Sequence, residues 1–241
     1  MPTSISSTTF RDRTGQTARF SFLWLLIALV VTLLLAPLME GKKIGDLLMH
    51  GCFTLVFLTG LMANRQRPWI FRTAIVLALV GVPLGWSSLL SGNLQLILFR
   101  LFVDMVFFAF TATMILIAIL KDHMASKRSI LGAISVYLLL GLSWTCAYSA
   151  LEISALGNIA DEPFRFTERQ TFETSQGYPL TAWPQLAYYS FVTMSTLGFG
   201  DITPRTPLAQ TMTWMQAVFG QLYLVILIAR LVSLLPQNDV D

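Results

Sequence analysis

Six apolar stretches, separated by short polar segments, occupy most of the 241-residue chain. They run from about Phe20 to Met39, Leu47 to Ala63, Ile70 to Leu90, Leu94 to Leu120, Ile130 to Leu156 and Leu208 to Leu235. About 20 apolar residues in a helix cross the roughly 30 Å hydrocarbon core of a bilayer. Inside that core every backbone N–H and C=O must be paired within the segment, which selects the helix for isolated spans. The pattern therefore predicts an all-α membrane protein with six transmembrane helices. Composition agrees, with 55% hydrophobic and 12% charged residues, the charged share being about half that of an ordinary soluble domain. The net charge of +3 is small and points to no nucleic-acid partner.

Lys and Arg in the short loops set the expected orientation. With the N-terminus inside, the inner side holds Arg11, Arg13, Arg19, Arg65, Arg67, Arg72, Lys121, Lys127 and Arg128, nine in all, and the outer side holds Lys42, Lys43, Arg165, Arg169 and Arg205, five in all. The bias predicts a multi-pass protein of a plasma or inner membrane with both termini in the cytoplasm. The first stretch follows Arg11, Arg13 and Arg19 but is too long for a signal peptide and ends in no small-residue cleavage site. Six residues follow Leu235, so no folded cytoplasmic domain is expected after the last span.

The residue inventory narrows the chemistry. Cys52 and Cys146 both lie in apolar stretches with no framework spacing, and read as buried small residues. His50 and His123 are far apart, so no zinc or haem spacing can be built. No nucleophile, base and oxyanion set can be assembled. The expectation is no enzyme and no cofactor.

The segment between the fifth and sixth spans differs from the other loops. Gly157 to Tyr178 is polar, with Asp161, Glu162, Glu168 and Glu173 against Arg165 and Arg169. Trp183 to Ser195 turns apolar and aromatic again. As a helix these thirteen residues reach about 20 Å and cannot cross the bilayer. They read as a re-entrant helix, with Pro184 in its first turn, where a missing N–H costs nothing. A half-crossing segment must be buried in protein or line water, so it is expected to line a pathway.

Directly after it comes Thr196-Leu197-Gly198-Phe199-Gly200-Asp201. A threonine, an aliphatic residue, glycine, an aromatic residue, glycine and aspartate in this order resemble the selectivity filter of the tetrameric potassium channel family. The chain is most similar to its six-transmembrane, one-pore-loop type without the arginine-rich voltage-sensor helix. The resemblance covers about Ile130 to Leu235. It implies a homotetramer in which backbone carbonyls of Thr196, Leu197, Gly198 and Phe199, with the Thr196 hydroxyl, replace the water shell of permeant K+. Gly198 and Gly200 supply the backbone conformations with positive φ that such a cage needs. Leu197 and Phe199 are expected to pack outward against the short helix. By the same resemblance Asp201, at the outer mouth, ties the filter to Trp183 or Tyr189. Val192 stands where some family members hold a glutamate behind the filter, and Phe199 and Leu197 replace the commoner tyrosine and valine. The C-terminal end of the short helix carries partial negative charge toward the pore, worth about 0.3–1 kcal/mol per helix at exposed sites.

Gly220 lies 22 residues after Gly198, a distance at which many family members carry an inner-helix hinge. The other reading is a small residue for close helix packing. The same alignment sets Gln221, Leu224 and Ile228 toward the cavity. The fourth span carries only Arg100 and Asp104, four residues apart and on one face, not an arginine ladder. They are expected to pair within the bundle or to couple the peripheral helices to the pore. Lys121, Lys127 and Arg128 in the following linker contact lipid heads or simply set topology. Arg230 is expected to point away from the axis, to snorkel or to meet the linker.

The expected organisation is a cytoplasmic tail over residues 1–19, a four-helix peripheral domain over 20–128 and a pore domain over 129–241. The expected function is passive, potassium-selective conduction, with lipid, K+ and three further copies of the chain as partners. A non-selective cation channel and a non-conducting scaffold or regulatory subunit are the alternatives.

Overall fold

A computed structural model describes residues 6–37, 43–64, 68–121, 127–155, 162–169, 171–173, 179–181 and 183–233. The long helices are α1 (Ser6–Leu35), α2 (Lys43–Ala63), α3 (Pro68–Ser91), α4 (Leu94–Leu120), α5 (Lys127–Ser154) and α7 (Pro207–Ser233), and the short α6 (Trp183–Met194) lies between the last two. Among the described residues, four segments are long and apolar enough to cross a membrane: Pro68–Ser88, Leu94–Leu120, Ser129–Ser154 and Pro207–Arg230. The apolar parts of α1 and α2, Ser21–Leu35 and Leu47–Ala63, are shorter.

Local chemistry explains several of the element ends. Pro68 and Pro207 open α3 and α7, where fixed φ helps and the absent N–H is not missed. Between α3 and α4 the chain reverses over two residues. Gly92 takes φ +59°, and its N–H closes the end of α3 on the Ser88 carbonyl at 3.0 Å. The Asn93 side chain then caps α4 by accepting from the Gln95 N–H at 2.9 Å, the usual role of Asn at a helix start.

Lipid is as apolar as a leucine side chain, so these helices associate through close packing and hydrogen bonds, not through escape from water. Glycines mark the tight crossings. The rings of Phe57 on α2 and Phe107 on α4 stack with centroids 4.0 Å apart. Gly81 on α3 faces the same pair, and a Cβ there would come within 2.8 Å of the Phe57 ring. One core runs through α1, α2, α3, α4 and α5 and reaches Tyr223 on α7. A second, built from Tyr148, Phe164, Leu186, Tyr189, Ile202 and Ala209, sits where the last turns of α5 meet α6 and the start of α7.

The spans α5 and α7 are covered unequally. The chain buries 56% of the most apolar window of α5 but 17% of that of α7. Trp214, Val218, Phe219, Leu222, Val225 and Ile226 of α7 are all about half exposed or more.

The described residues between α5 and α7 include, besides α6, four three-residue strands in two antiparallel pairs, β1 (Phe164–Phe166) with β4 (Ile202–Pro204) and β2 (Thr171–Glu173) with β3 (Pro179–Thr181). The all-helical expectation is amended to that extent. The β1–β4 pair, in register Phe164 to Pro204 and Phe166 to Ile202, joins the start of the loop to the residues that follow Asp201.

Candidate functional site, the re-entrant helix and the strand that follows it

Helix α6 has 12 residues and, at 1.5 Å per residue, spans about 18 Å. It is the short element expected from the sequence, ending one residue earlier, with Pro184 in its first turn. Its C-terminus is closed by two reverse bonds. The Leu197 N–H donates to the Val192 carbonyl and the Thr196 N–H to the Thr193 carbonyl, each at 3.0 Å. This is the Schellman arrangement, which requires one left-handed residue and usually places glycine there. Here that residue is Thr196, with φ +60°. A β-branched residue in this region is an outlier that costs about 1–3 kcal/mol and persists where surrounding structure enforces it.

The left-handed conformation then recurs at every second position. Gly198 has φ +56° and Gly200 φ +82°. Alternation of this kind turns successive peptide carbonyls away from the ribbon arrangement of a strand, whose C=O groups point alternately to opposite sides. Leu197 and Phe199, between the left-handed residues, are 60% and 66% exposed. Within the single chain, the packing expected against the short helix leaves both side chains largely uncovered. The flank of α6 is already filled by α5, α7 and β1, and the two side chains project beyond it.

Asp201 is also placed differently from the resemblance. Its Oδ1 accepts from the Ile202 N–H at 3.1 Å, and its carboxylate lies on the side of Tyr188, in electrostatic reach of that hydroxyl. Trp183 and Tyr189 are engaged elsewhere. Trp183 meets the Phe53 ring edge-on at 5.4 Å. Tyr189 is buried against Tyr148 and Phe164, and its hydroxyl lies 2.6 Å from Thr213 Oγ1, which itself donates to the Ala209 carbonyl. One residue along a helix is a turn of about 100°, so Tyr188 faces Asp201 while Tyr189 faces the core. Strand β1 supports the same point from outside, since the Thr167 N–H donates to the Asp201 carbonyl at 2.9 Å.

Behind α6 lies a buried polar chain that the sequence did not single out. The Tyr148 hydroxyl on α5 donates to Gln216 Oε1 on α7 at 2.6 Å. Gln216 Nε2 donates to the Ser190 hydroxyl at 2.7 Å and to the Ser190 carbonyl at 3.1 Å. The Ser190 hydroxyl donates to the Gly141 carbonyl at 2.7 Å. Tyr148, Ser190 and Gln216 are each fully buried. The available signal was Gln216 itself, an amide inside an apolar span, where an unpaired polar group is costly and a paired one binds helices together. Close packing accompanies the bonds, because a Cβ on Gly141 would overlap the Phe191 ring. Val192, one residue on, is buried, and its carbonyl serves the cap of α6.

This chain of bonds gives a direct expectation. Tyr148→Phe leaves Gln216 Oε1 without its donor, and Gln216→Leu leaves both the Tyr148 hydroxyl and the Ser190 groups short of partners. Each orphaned buried group costs about 1–3 kcal/mol. Thermal melting in detergent is expected to rank parent above Tyr148→Phe above Gln216→Leu. The double variant is expected to be less destabilised than the sum of the two, as for residues sharing one network.

On α7, Gly220 is pressed against the end of α6. A Cβ there would lie 2.6 Å from the Met194 carbonyl oxygen, and α7 continues as helix through it. Gln221 and Ile228 are exposed, whereas Leu224 is half-buried and packs against the chain's own core. Arg230 donates to the Leu120 carbonyl at 3.2 Å, so it meets the C-terminal end of α4, where a cation is favoured. Lys127 and Arg128 have side chains outside the described residues. Arg100 and Asp104 form the expected pair at 3.3 Å. Cys52 and Cys146 are free and buried.

The loop between α5 and α6 is anchored by Arg169. It pairs with Glu162 at 2.9 Å and with Glu152 at the end of α5, and its guanidinium lies 4.8 Å from the Phe166 ring centroid. The loop is thus tied at one end to α5 and at the other to the exit of the 196–201 strand.

Residues 153–237 match a protein-family model described as an ion channel. The match begins in the last turn of α5 and takes in the outer loop, α6, the 196–201 strand and α7. No curated protein matches the chain. The chain is a multi-pass membrane protein whose C-terminal part is similar to ion channels.

Proposed function

We propose that the chain is one subunit of a homotetrameric, potassium-selective channel with six transmembrane helices. Residues 196–200 are the filter, and K+ binds at the carbonyls of Thr196, Leu197, Gly198 and Phe199. The observation that carries this reading is the alternation of left-handed residues at 196, 198 and 200 directly after the capped end of a half-crossing helix. Rings of carbonyls can replace a hydration shell only if several strands share an axis, since one strand gives a fraction of each ring.

The exposed side chains support the oligomer. Leu197, Phe199 and the uncovered side of α7 are apolar surfaces next to the strand, where neighbouring subunits would pack. Gln221 and Ile228 fit a water-filled cavity below the filter, while Leu224 sits at its flank. Asp201 and Tyr188 hold the outer mouth. The Lys/Arg bias of the short loops supports a reading with both termini in the cytoplasm and a plasma or inner membrane as the site. α1 and α2 complete the six spans.

Purified protein in liposomes tests this reading. A K+ gradient is expected to drive a potential across the vesicles while an equal Na+ gradient does not. Equal responses to the two ions would replace it with a non-selective cation channel, and no response to either would favour a scaffold or regulatory subunit.

A further inference from the structure

The peripheral helices hold a buried polar cluster centred on Arg100 of α4. Its Nε donates to Asp104 Oδ2 at 3.3 Å. Its Nη1 lies 2.8 Å from Nε2 of His50 on α2 and 3.5 Å from the Ser88 hydroxyl on α3. Asp104 is 3% exposed. A cavity of about 10 Å³ lined by His50, Phe53, Gly85, Trp86, Arg100 and Asp104 lies beside these groups, the lower limit for one water.

The contact fixes the state of His50. A guanidinium has donors only and keeps its charge. Nε2 of His50 must therefore accept the Arg100 bond with a lone pair, which leaves the ring neutral with its proton on Nδ1. Protonation at Nε2 would remove the acceptor and set a second positive charge against Arg100 in an apolar bundle, where like charges are strongly disfavoured. Asp104, the carboxylate in the cluster, is already engaged by Arg100. The other groups around it are Trp86 and Ser88 of α3, which carry no charge, and Cys146 of α5, a buried thiol in electrostatic reach of both Arg100 and Asp104. Cys52 on α2 is a buried free thiol. Asp46 precedes His50 by one turn of α2, its side chain outside the described residues.

The cluster also touches the re-entrant helix through one ring. The Arg100 guanidinium sits 5.6 Å from the Phe53 ring centroid, a cation–π distance. The other side of Phe53 meets Trp183 edge-on at 5.4 Å, and Trp183 is the first residue of α6. Displacing Arg100 therefore changes the surface on which the start of α6 rests.

We propose that His50 is a proton sensor: when its imidazole is charged it releases Arg100, and Phe53 passes the change to Trp183 and α6. The effect on ion flow rests on the channel reading given above; the sensor itself does not.

The test uses the full chain in liposomes with the same pH on both sides, from about pH 8 to about pH 5, the span in which histidine ordinarily titrates. K+ flux is expected to fall at least about fivefold toward the acid end, the low end of ordinary coupling between sites. His50→Gln presents an amide oxygen that accepts from Arg100 at any pH, so its flux is expected to stay at the alkaline level. Phe53→Leu is expected to flatten the response while His50 still titrates. A pH-independent parent, or the same acid response in His50→Gln, would overturn the proposal.

A second readout does not depend on conduction. In a His123→Gln background one imidazole remains, and its ¹⁵N resonances are expected to show the Nδ1–H tautomer at about pH 8. The Trp183 indole resonance, assigned with Trp183→Phe, is expected to move as that imidazole charges. If both occur without K+ flux at any pH, the sensor stands and the channel reading falls. If flux is potassium-selective and Trp183 does not move, the sensor falls.

Discussion

Gly198→Ala is expected to abolish selective K+ conduction while leaving the fold of the chain nearly intact. At Gly198 φ is +56°, and a Cβ there would meet nothing within 4 Å. The loss is therefore one of backbone preference, not of collision within the chain. An L residue pays roughly 1–2 kcal/mol in the left-handed region, and every subunit around the axis pays it at the same level of the filter. Thr196 already bears such a cost one step earlier in the strand. The cheapest relaxation is a peptide flip, which would turn one ring of carbonyls away from the ions. Reversal potentials in mixed K+ and Na+ should move toward zero, or current should disappear, with a melting temperature close to the parent's. Normal potassium currents from this variant would defeat the filter assignment.

Gly220→Ala is expected to destabilise the protein and to disturb the filter from below. A Cβ at this position would lie 2.6 Å from the Met194 carbonyl oxygen and 2.7 Å from Met194 Cγ. The side chain could swing aside, but the carbonyl belongs to the last residue of α6 and cannot. Overpacking of this kind costs about 1–3 kcal/mol, and the displaced residue stands two positions before Thr196. A lower melting temperature together with reduced conductance is the expected result. The hinge reading predicts otherwise: an unchanged melting temperature with altered opening. The two measurements on one variant decide between close packing and bending.

The comparison of sequence with structure divides along the kind of signal each element gives. Long apolar runs announced α3, α4, α5 and α7 because a span is a property of local composition. The positive φ at 198 and 200 was equally legible, since glycine answers a local need for that conformation. The left-handed Thr196 was not, because it is enforced by the cap of α6 against the residue's own preference. Tyr148 and Gln216 are 68 residues apart, and no periodicity links them. Strands β1 and β4 are three residues each and become strands only by pairing across α6 and residues 196–201. Asp201 was assigned to Trp183 or Tyr189 by resemblance, but one residue of helical phase turns Tyr188, not Tyr189, toward it. Leu197 and Phe199 stay 60% and 66% exposed in the single chain, where the flank of α6 is already occupied.

The same division applies to the peripheral helices. Arg100 and Asp104 were legible as a pair from their spacing of four on one helix. His50 was not, because its partner stands 50 residues away. What the pair does depends on that third residue and on Phe53, which carries the cluster's position to α6.

Single-channel recording of the purified protein with unequal K+ and Na+ on the two sides tests the central claim most directly. Currents reversing near the K+ equilibrium potential are the predicted result. Reversal near zero, with K+ and Na+ passing equally, would contradict a filter built from residues 196–200.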